Sequence, residues 1–344
     1  MVLLRRSHLV LAYILHFYVQ SLPPTDPVSI PRSITLPLLR ISKQLDIPPV
    51  LTYSDTVLYN WRFKTNPELG DVFPKLNNIR SQTTFTGLVD EEEFYLCSAR
   101  IELRAVEILE MMRMTMDETF IGDAIAVRRV TEHLNVIADE IYTLKSLLLA
   151  VQNLCDPDVY YNEARPWFRG QDSFDNQRKW VFEGVDEDPD LHSPTEVSGP
   201  SAGQSSIIHA FDVFLGVDHQ ATSPGQPSFM SRMQSYMPKK HRLFLDHIRA
   251  NPRPLRAFVR DMNDEALLIA FNRAVLALKE FRDAHMIIAA LYILGPARRA
   301  AKKRLEVEAG VSSLPRQPMK GTGGTNLVKF LKDTRNRTEE TIID

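Results

Sequence analysis

The segment Asn263–Leu294 reads NDEALLIAFNRAVLALKEFRDAHMIIAALYIL, and its reading decides the fold. Leu267, Phe271, Ala274, Leu278, Phe281, Ile288 and Tyr292 follow one another in steps of three and four, with one gap that His285 fills. That spacing predicts an amphipathic helix of about eight turns. Asn263 or Asp264 can cap its start, and Gly295-Pro296 is expected to stop it. An imidazole therefore falls within a buried stripe, while Lys279, Glu280 and Asp283 turn away. Two readings of His285 stand: a core histidine hydrogen-bonded to a backbone carbonyl, or an axial ligand to a flat apolar cofactor. In the second, Arg282 is one turn earlier and can reach an anionic edge of that cofactor. Periodicity does not choose between them.

Working outward, the chain has 344 residues and 44% hydrophobic content, enough for a large core in one big domain or two unequal ones. Its 41 basic and 43 acidic side chains give no global field for nucleic acid or an anionic membrane. Cys97 and Cys155 form neither a disulfide framework nor a zinc spacing, which fits a reducing cytoplasm. Long three-four periodicities and only 14 glycines point to an all-α protein.

Residues 4–21, LRRSHLVLAYILHFYVQS, imitate a signal peptide, but His8, His16 and Gln20 interrupt the apolar run. A core helix too short to cross a membrane is the reading preferred here. A proline-rich connection follows, then short helical pieces at 37–45 and 55–63, and loop over 64–90. The acidic cluster Asp90–Glu93 opens a helix on which Phe94, Ser98 and Glu102 share one side. For Ser98 the plain alternative is a hydroxyl bonded back to its own helix. From Val127 to Val151 the period is so regular that it reads as packing alone. Asp156 can cap a new helix with Pro157 in its first turn, carrying Tyr160, Tyr161 and Arg165. Arg165 is either a stacked surface arginine or an anion anchor among aromatic rings. SAGQSS at 201–206 puts small residues at a helix start, where backbone N–H groups can approach a ligand. GTGGT at 321–325 lacks the ending of a phosphate-binding loop and reads as a lid carrying Thr322, or as plain linker.

Together these strings resemble one family. IPPVLTYSDTVLYNW (47–61), FYLCSARIE (94–102), VYYNEARPWFRG (159–170), SGPSAGQSS (198–206), FDVFLG (211–216), YMPKKHR (236–242), RDAH (282–285) and KGTGGT (320–325) come in the order and spacing of the indoleamine 2,3-dioxygenases. The wording is nearest to fungal members, and the likeness covers nearly the whole chain.

The resemblance implies a two-domain all-α fold: a large helical domain binding haem b over 86–344, and a small N-terminal domain with its connector over 1–85. It implies oxidation of L-tryptophan by O2 to N-formylkynurenine, the entry to the kynurenine pathway and NAD biosynthesis, by a cytoplasmic monomer whose iron an electron donor keeps ferrous. No nucleic-acid or membrane partner is expected. By position, His285 matches the proximal iron ligand and Arg282 the arginine at a haem propionate. Ser201 and Ala202 match the turn beside a propionate and the substrate, and Asp212 a supporting partner on the proximal side. Ser98 matches the distal serine by the oxygen site and Arg165 the anchor of the substrate carboxylate. Tyr53, Val57, Phe94, Tyr160 and Tyr161 match pocket walls, and Thr322 the lid threonine. A neutral imidazole suits this chemistry because it leaves the opposite face of ferrous haem open.

Two departures stand out. Tyr160-Tyr161 occupies positions where phenylalanine is common, and an added phenol needs a partner. The chain also begins inside the family's small domain, so apolar surface around residues 9–63 is expected to be exposed, weakening the wall behind Tyr53 and Val57. The competing readings are a haem protein of the same fold that only binds oxygen, and a haem-free remnant.

Overall fold

The computed structural model describes residues 2–23, 27–67, 74–173, 178–219, 227–251, 253–307 and 326–344. In chain order the elements are α1 (Val2–Ser21), β1 (Val28–Ile30), α2 (Arg32–Leu45), β2 (Trp61–Phe63), β3 (Ile79–Ser81), α3 (Val89–Arg104), α4 (Val106–Ile121), α5 (Ala124–Leu149) and α6 (Pro157–Val159). Then come β4 (Trp180–Phe182), α7 (Ser206–Leu215), α8 (Phe229–Gln234), α9 (Lys239–Arg249), α10 (Leu255–Met262), α11 (Glu265–Ala289), α12 (Gly295–Val307) and α13 (Leu327–Glu339). The fold is all-α as expected, with two small two-stranded sheets as ties.

The deciding stretch forms α11. Asp264 caps it by accepting from the Leu267 N–H at 2.8 Å, while Asn263 takes a left-handed conformation (φ 49°) that closes α10. Every apolar residue of the predicted stripe is at most 8% exposed. Burying each large one contributes about 1.5–3 kcal/mol. The stripe packs chiefly along α5, and α4 and α13 complete the group. Gly295-Pro296 does not stop the helical run, contrary to expectation. One wide π-type turn over Ala290–Leu294 leads directly into α12, with Pro296 in the turn that follows. Two further expectations need correction. Residues 55–63 divide into a wide turn, Ser54–Leu58, and strand β2, which pairs antiparallel with β3 inside the expected loop. The helix expected from Asp90 onward breaks at Ala105 into α3 and α4.

Helix α1 is long and apolar enough to cross a membrane, so the length argument made from sequence does not hold. It nevertheless buries a face. His8 Nδ1 meets Asp55 Oδ1 at 2.9 Å, and His16 contacts the Trp167 carbonyl at 2.9 Å and the Leu51 N–H at 3.3 Å. The polar interruptions in the apolar run are the side chains that fasten it to the core. Its other face leaves Val10, Ile14 and Phe17 exposed, as expected for this region, yet Tyr53 and Val57 remain buried. Leu15, Val19, Val28, Ile30, Leu38 and Val50 share an apolar cluster with Trp180, Phe182, Val197, Met233 and Tyr236. Parallel pairing of β1 with β4 runs through it. The N-terminal segment is thus built onto the 180–236 region.

Candidate active site

Between α11 and the short segments facing it lies a cavity that is partly open to solvent. α11 supplies Phe281, Arg282, His285, Ile288 and Ala289. Across from them, α3 supplies Phe94 and Ser98. Three π-type turns bring further walls: Ser54–Leu58 gives Thr56 and Val57, Tyr160–Ala164 gives Tyr160, and Ala290–Leu294 gives Tyr292 and Ile293. Such turns widen the backbone locally and aim side chains that a regular helix would place elsewhere.

The surroundings of His285 bear on the two readings left open by periodicity. Among the described residues neither ring nitrogen has a hydrogen-bond partner, whereas buried His8, His16 and His209 each have at least one. Burial, with the Arg282 charge next, lowers its pKa from 6.5 to about 4. The imidazole is therefore neutral at physiological pH, with a free lone pair on the wall of a largely apolar cavity. A core histidine satisfied by a carbonyl does not look like this.

Beside it, Arg282 is held by two partners. Its Nη2 donates to Asp212 Oδ1 at 2.6 Å, and its Nη1 donates to the Thr338 hydroxyl, which fastens α13 to α11. Asp212 also meets His219 Nε2 at 2.7 Å. Burial pushes the Asp212 pKa up, but Arg282 and His219 outweigh it and hold the carboxyl below its ordinary value.

On the facing wall Phe94 stacks on Tyr160 with ring centroids 4.0 Å apart, and Tyr292 meets Tyr160 edge-on at 5.9 Å. The Tyr292 hydroxyl donates to the Cys155 carbonyl at 2.6 Å. That of Tyr160 has no partner among the described residues, and burial raises its pKa. At the inner end Tyr53 Oη donates to Glu102 Oε1 at 2.9 Å, and Ser205 Oγ donates to the same oxygen at 2.6 Å. Gln204 ties these pieces together, accepting from the Tyr53 N–H at 2.8 Å and donating to the Gly199 carbonyl at 3.0 Å. A Cβ on Gly199 would stand 2.0 Å from the Phe168 carbonyl oxygen, and one on Gly170 2.3 Å from that of Val197. Only glycines permit this backbone approach, which delivers Pro200–Ala202 to the cavity.

Of the residues singled out from sequence, Tyr53, Val57, Phe94, Ser98, Tyr160, Ser201, Ala202, Arg282 and His285 meet on this one cavity. Tyr161, next to Tyr160 in the chain, and Arg165, five residues after Tyr160, do not line this cavity. Arg165 is 4% exposed, its guanidinium 5.4 Å from the Tyr161 ring centre, so it is not the surface arginine of the alternative reading. Asp212 acts through Arg282, and Thr322 lies outside the described residues. Sequence reasoning missed Leu148 and Val151, which end the supposedly pure packing stripe yet line the cavity, along with Leu331 and Thr334 from α13. Tyr292, which also lines the cavity, is already the last member of the α11 stripe read from sequence. Nothing local marked Gln204.

Fold and site together define an all-α protein with a deep aromatic pocket faced by one unpartnered neutral imidazole. A family model described as indoleamine 2,3-dioxygenase matches residues 1–341, and the chain belongs to that family of oxidoreductases. It is 31% identical to indoleamine 2,3-dioxygenase 2 of Homo sapiens over 343 residues, which is 98% of this chain and 79% of that protein. Its identity to the Saccharomyces cerevisiae indoleamine 2,3-dioxygenase is 32%, with coverages of 98% and 78%. A 6-hydroxytryptophan 2,3-dioxygenase of Fusarium equiseti is 29% identical, with coverages of 98% and 81%.

Proposed function

We propose that this protein is a haem-dependent dioxygenase that inserts O2 across the indole C2–C3 bond of L-tryptophan to give N-formylkynurenine. The observation that carries the reading is His285: a neutral imidazole, without a hydrogen-bond partner among the described residues, on the largely apolar wall of a cavity that also carries Arg282 and aromatic side chains. His285 would bind the iron. Arg282 and Ser201 would meet the cofactor's acidic edge, with Arg282 already half-neutralised by Asp212 and so shared between two carboxylates. Haem, when bound, supplies the oxygen chemistry.

The protein's own part is placement and exclusion of water. Phe94 and Tyr160, stacked on each other, would together flank the indole on one side, and Tyr53 and Val57 would close the pocket around it. Ser98 offers a hydroxyl by the reacting face, and Arg165 a charge for the amino acid carboxylate. Thr322 would close over the amino acid end. No side chain need act as a general base in this scheme. We place the enzyme in the cytoplasm, as a monomer served by an electron donor.

The position of Arg165 behind Tyr160 and Tyr161 favours a second reading, a haem protein that binds oxygen without turning over. One assay separates the two: haem-reconstituted protein with L-tryptophan, ascorbate and methylene blue, followed by formylkynurenine absorbance. Product formation supports the enzyme. A Soret band without product leaves the carrier, and no Soret band removes both. Because the Fusarium relative is named for 6-hydroxytryptophan, that substrate belongs in the same assay.

A further inference from the structure

Glu102 stands on α3 four residues after Ser98 and eight after Phe94, on the same side of the helix. It does not itself line the pocket. Its Oε1 accepts from Tyr53 at 2.9 Å and from Ser205 at 2.6 Å, both of which do line it. No cation pairs with Glu102 among the described residues. Burial pushes its pKa up, against the two hydroxyl donors that lower it. Glu102 and Val57 also border a second cavity, walled mainly by apolar side chains such as Leu103, Leu109, Ile207 and Phe244. Val57 belongs to both cavities, so the two adjoin there.

A buried carboxyl without a cation is a poor way to stabilise a core, because its desolvation is only partly offset by two neutral donors. What it does achieve is geometric. Three separate segments, the Tyr53–Leu58 region, α3 and the Ser201–Ser205 turn, meet on one oxygen at the inner end of the pocket. Without that acceptor, the Tyr53 hydroxyl keeps only its serine neighbours Ser98 and Ser205, and the three segments lose their common anchor. We propose that Glu102 is a positioning residue for the substrate: it holds the Tyr53 phenol and the Ser205 turn as the pocket's inner wall, keeping the substrate pocket separate from the cavity behind it. This inference rests on the functional reading above.

The test uses full-length, haem-loaded protein and the variants Glu102→Leu, Glu102→Gln, Tyr53→Phe and the Leu/Phe double. Haem content is read from the Soret band, tryptophan affinity from Soret titration of the ferric protein, and KM and kcat from turnover. Glu102→Leu is expected to raise Kd and KM about tenfold, the effect of releasing a wall held by two hydrogen bonds, with kcat within about twofold and haem content unchanged. Glu102→Gln keeps an acceptor oxygen and recovers most of that loss. Tyr53→Phe matches Glu102→Leu, and the double variant is no worse than either, because all act through one wall. Wild-type affinity in Glu102→Leu overturns the inference, as do additive effects in the double variant or a fall in kcat alone. Should Glu102→Leu fail to fold, Tyr53→Phe decides, and an unchanged KM there overturns it. Wild-type protein that takes up haem but no tryptophan defeats the functional reading, and this inference with it.

Discussion

The two walls of the pocket are built on opposite principles. The α11 wall is one uninterrupted helix whose residues are set by periodicity: every apolar stripe position on it is buried, and the polar residue within that stripe, His285, has no partner among the described residues. The facing wall is assembled from a broken helix pair, wide turns and a glycine-mediated backbone contact, and its polar atoms are knotted together through Glu102, Gln204 and Tyr53. A metal ligand needs one lone pair at one fixed point, which a long helix anchored along its length provides. A substrate wall must surround a ring and grip a charged end, and no single periodic element curves enough for that. The difference teaches that an unsatisfied group on the regular wall is the functional signal, whereas on the irregular wall the signal is the network of satisfied ones.

Removal of the imidazole is the hardest blow to this contrast. His285→Ala is expected to lose haem retention altogether, checked by the Soret band after reconstitution; a normal ferrous–CO spectrum in that variant would falsify the ligand assignment. Next in size is the ion pair behind α11. Asp212→Ala strands the buried Arg282 guanidinium and should lower unfolding free energy by about 3–5 kcal/mol in denaturant titration. An unchanged midpoint would show that Thr338 alone suffices to hold Arg282.

Arg165→Ala tests the facing wall. It should leave haem uptake intact while lowering kcat/KM by about 2–4 kcal/mol equivalent. Full activity there would take Arg165 out of the site and strengthen the carrier reading.

Acid should reveal the other buried histidines. Burial lowers both His16 and His209 from 6.5 to about 4. A depressed folded-state pKa means that the unfolded chain binds protons first as pH falls. Their contribution is therefore complete above pH 6.5 and is lost progressively between 6.5 and about 4. Unfolding free energy measured across that window should fall, and His16→Gln should flatten the slope; a slope equal to wild type would assign it elsewhere.

The smallest effect concerns the unpartnered phenol. Tyr160→Phe removes a hydroxyl with no partner among the described residues and should change stability by less than about 1 kcal/mol, with modestly tighter tryptophan binding by spectral titration. A large loss of affinity would mean that the hydroxyl contacts the substrate.

Much of this was legible before any coordinates. The period of α5 and α11, the Asp264 and Asp156 caps, and His285 as the odd member of an apolar stripe all follow from rules acting within a few turns of one helix. The resemblance added the roles of Ser98, Ser201 and Ala202, and all three reach the pocket. The sheet ties β1–β4 and β2–β3 were not legible, because three-residue strands carry too little pattern to stand out from loop. Gln204 was equally silent, since its two bonds join residues 151 positions away and five positions away.

By itself the sequence determined the helices, their buried faces and the helix that carries His285, since these depend on spacing and on local capping chemistry. Only the tertiary structure decided that the imidazole is left without a partner, that Asp212 neutralises Arg282, and that Glu102 joins Tyr53 to Ser205. Those are contacts between segments far apart in the chain, and their presence or absence is set by how whole elements pack rather than by any neighbour in sequence.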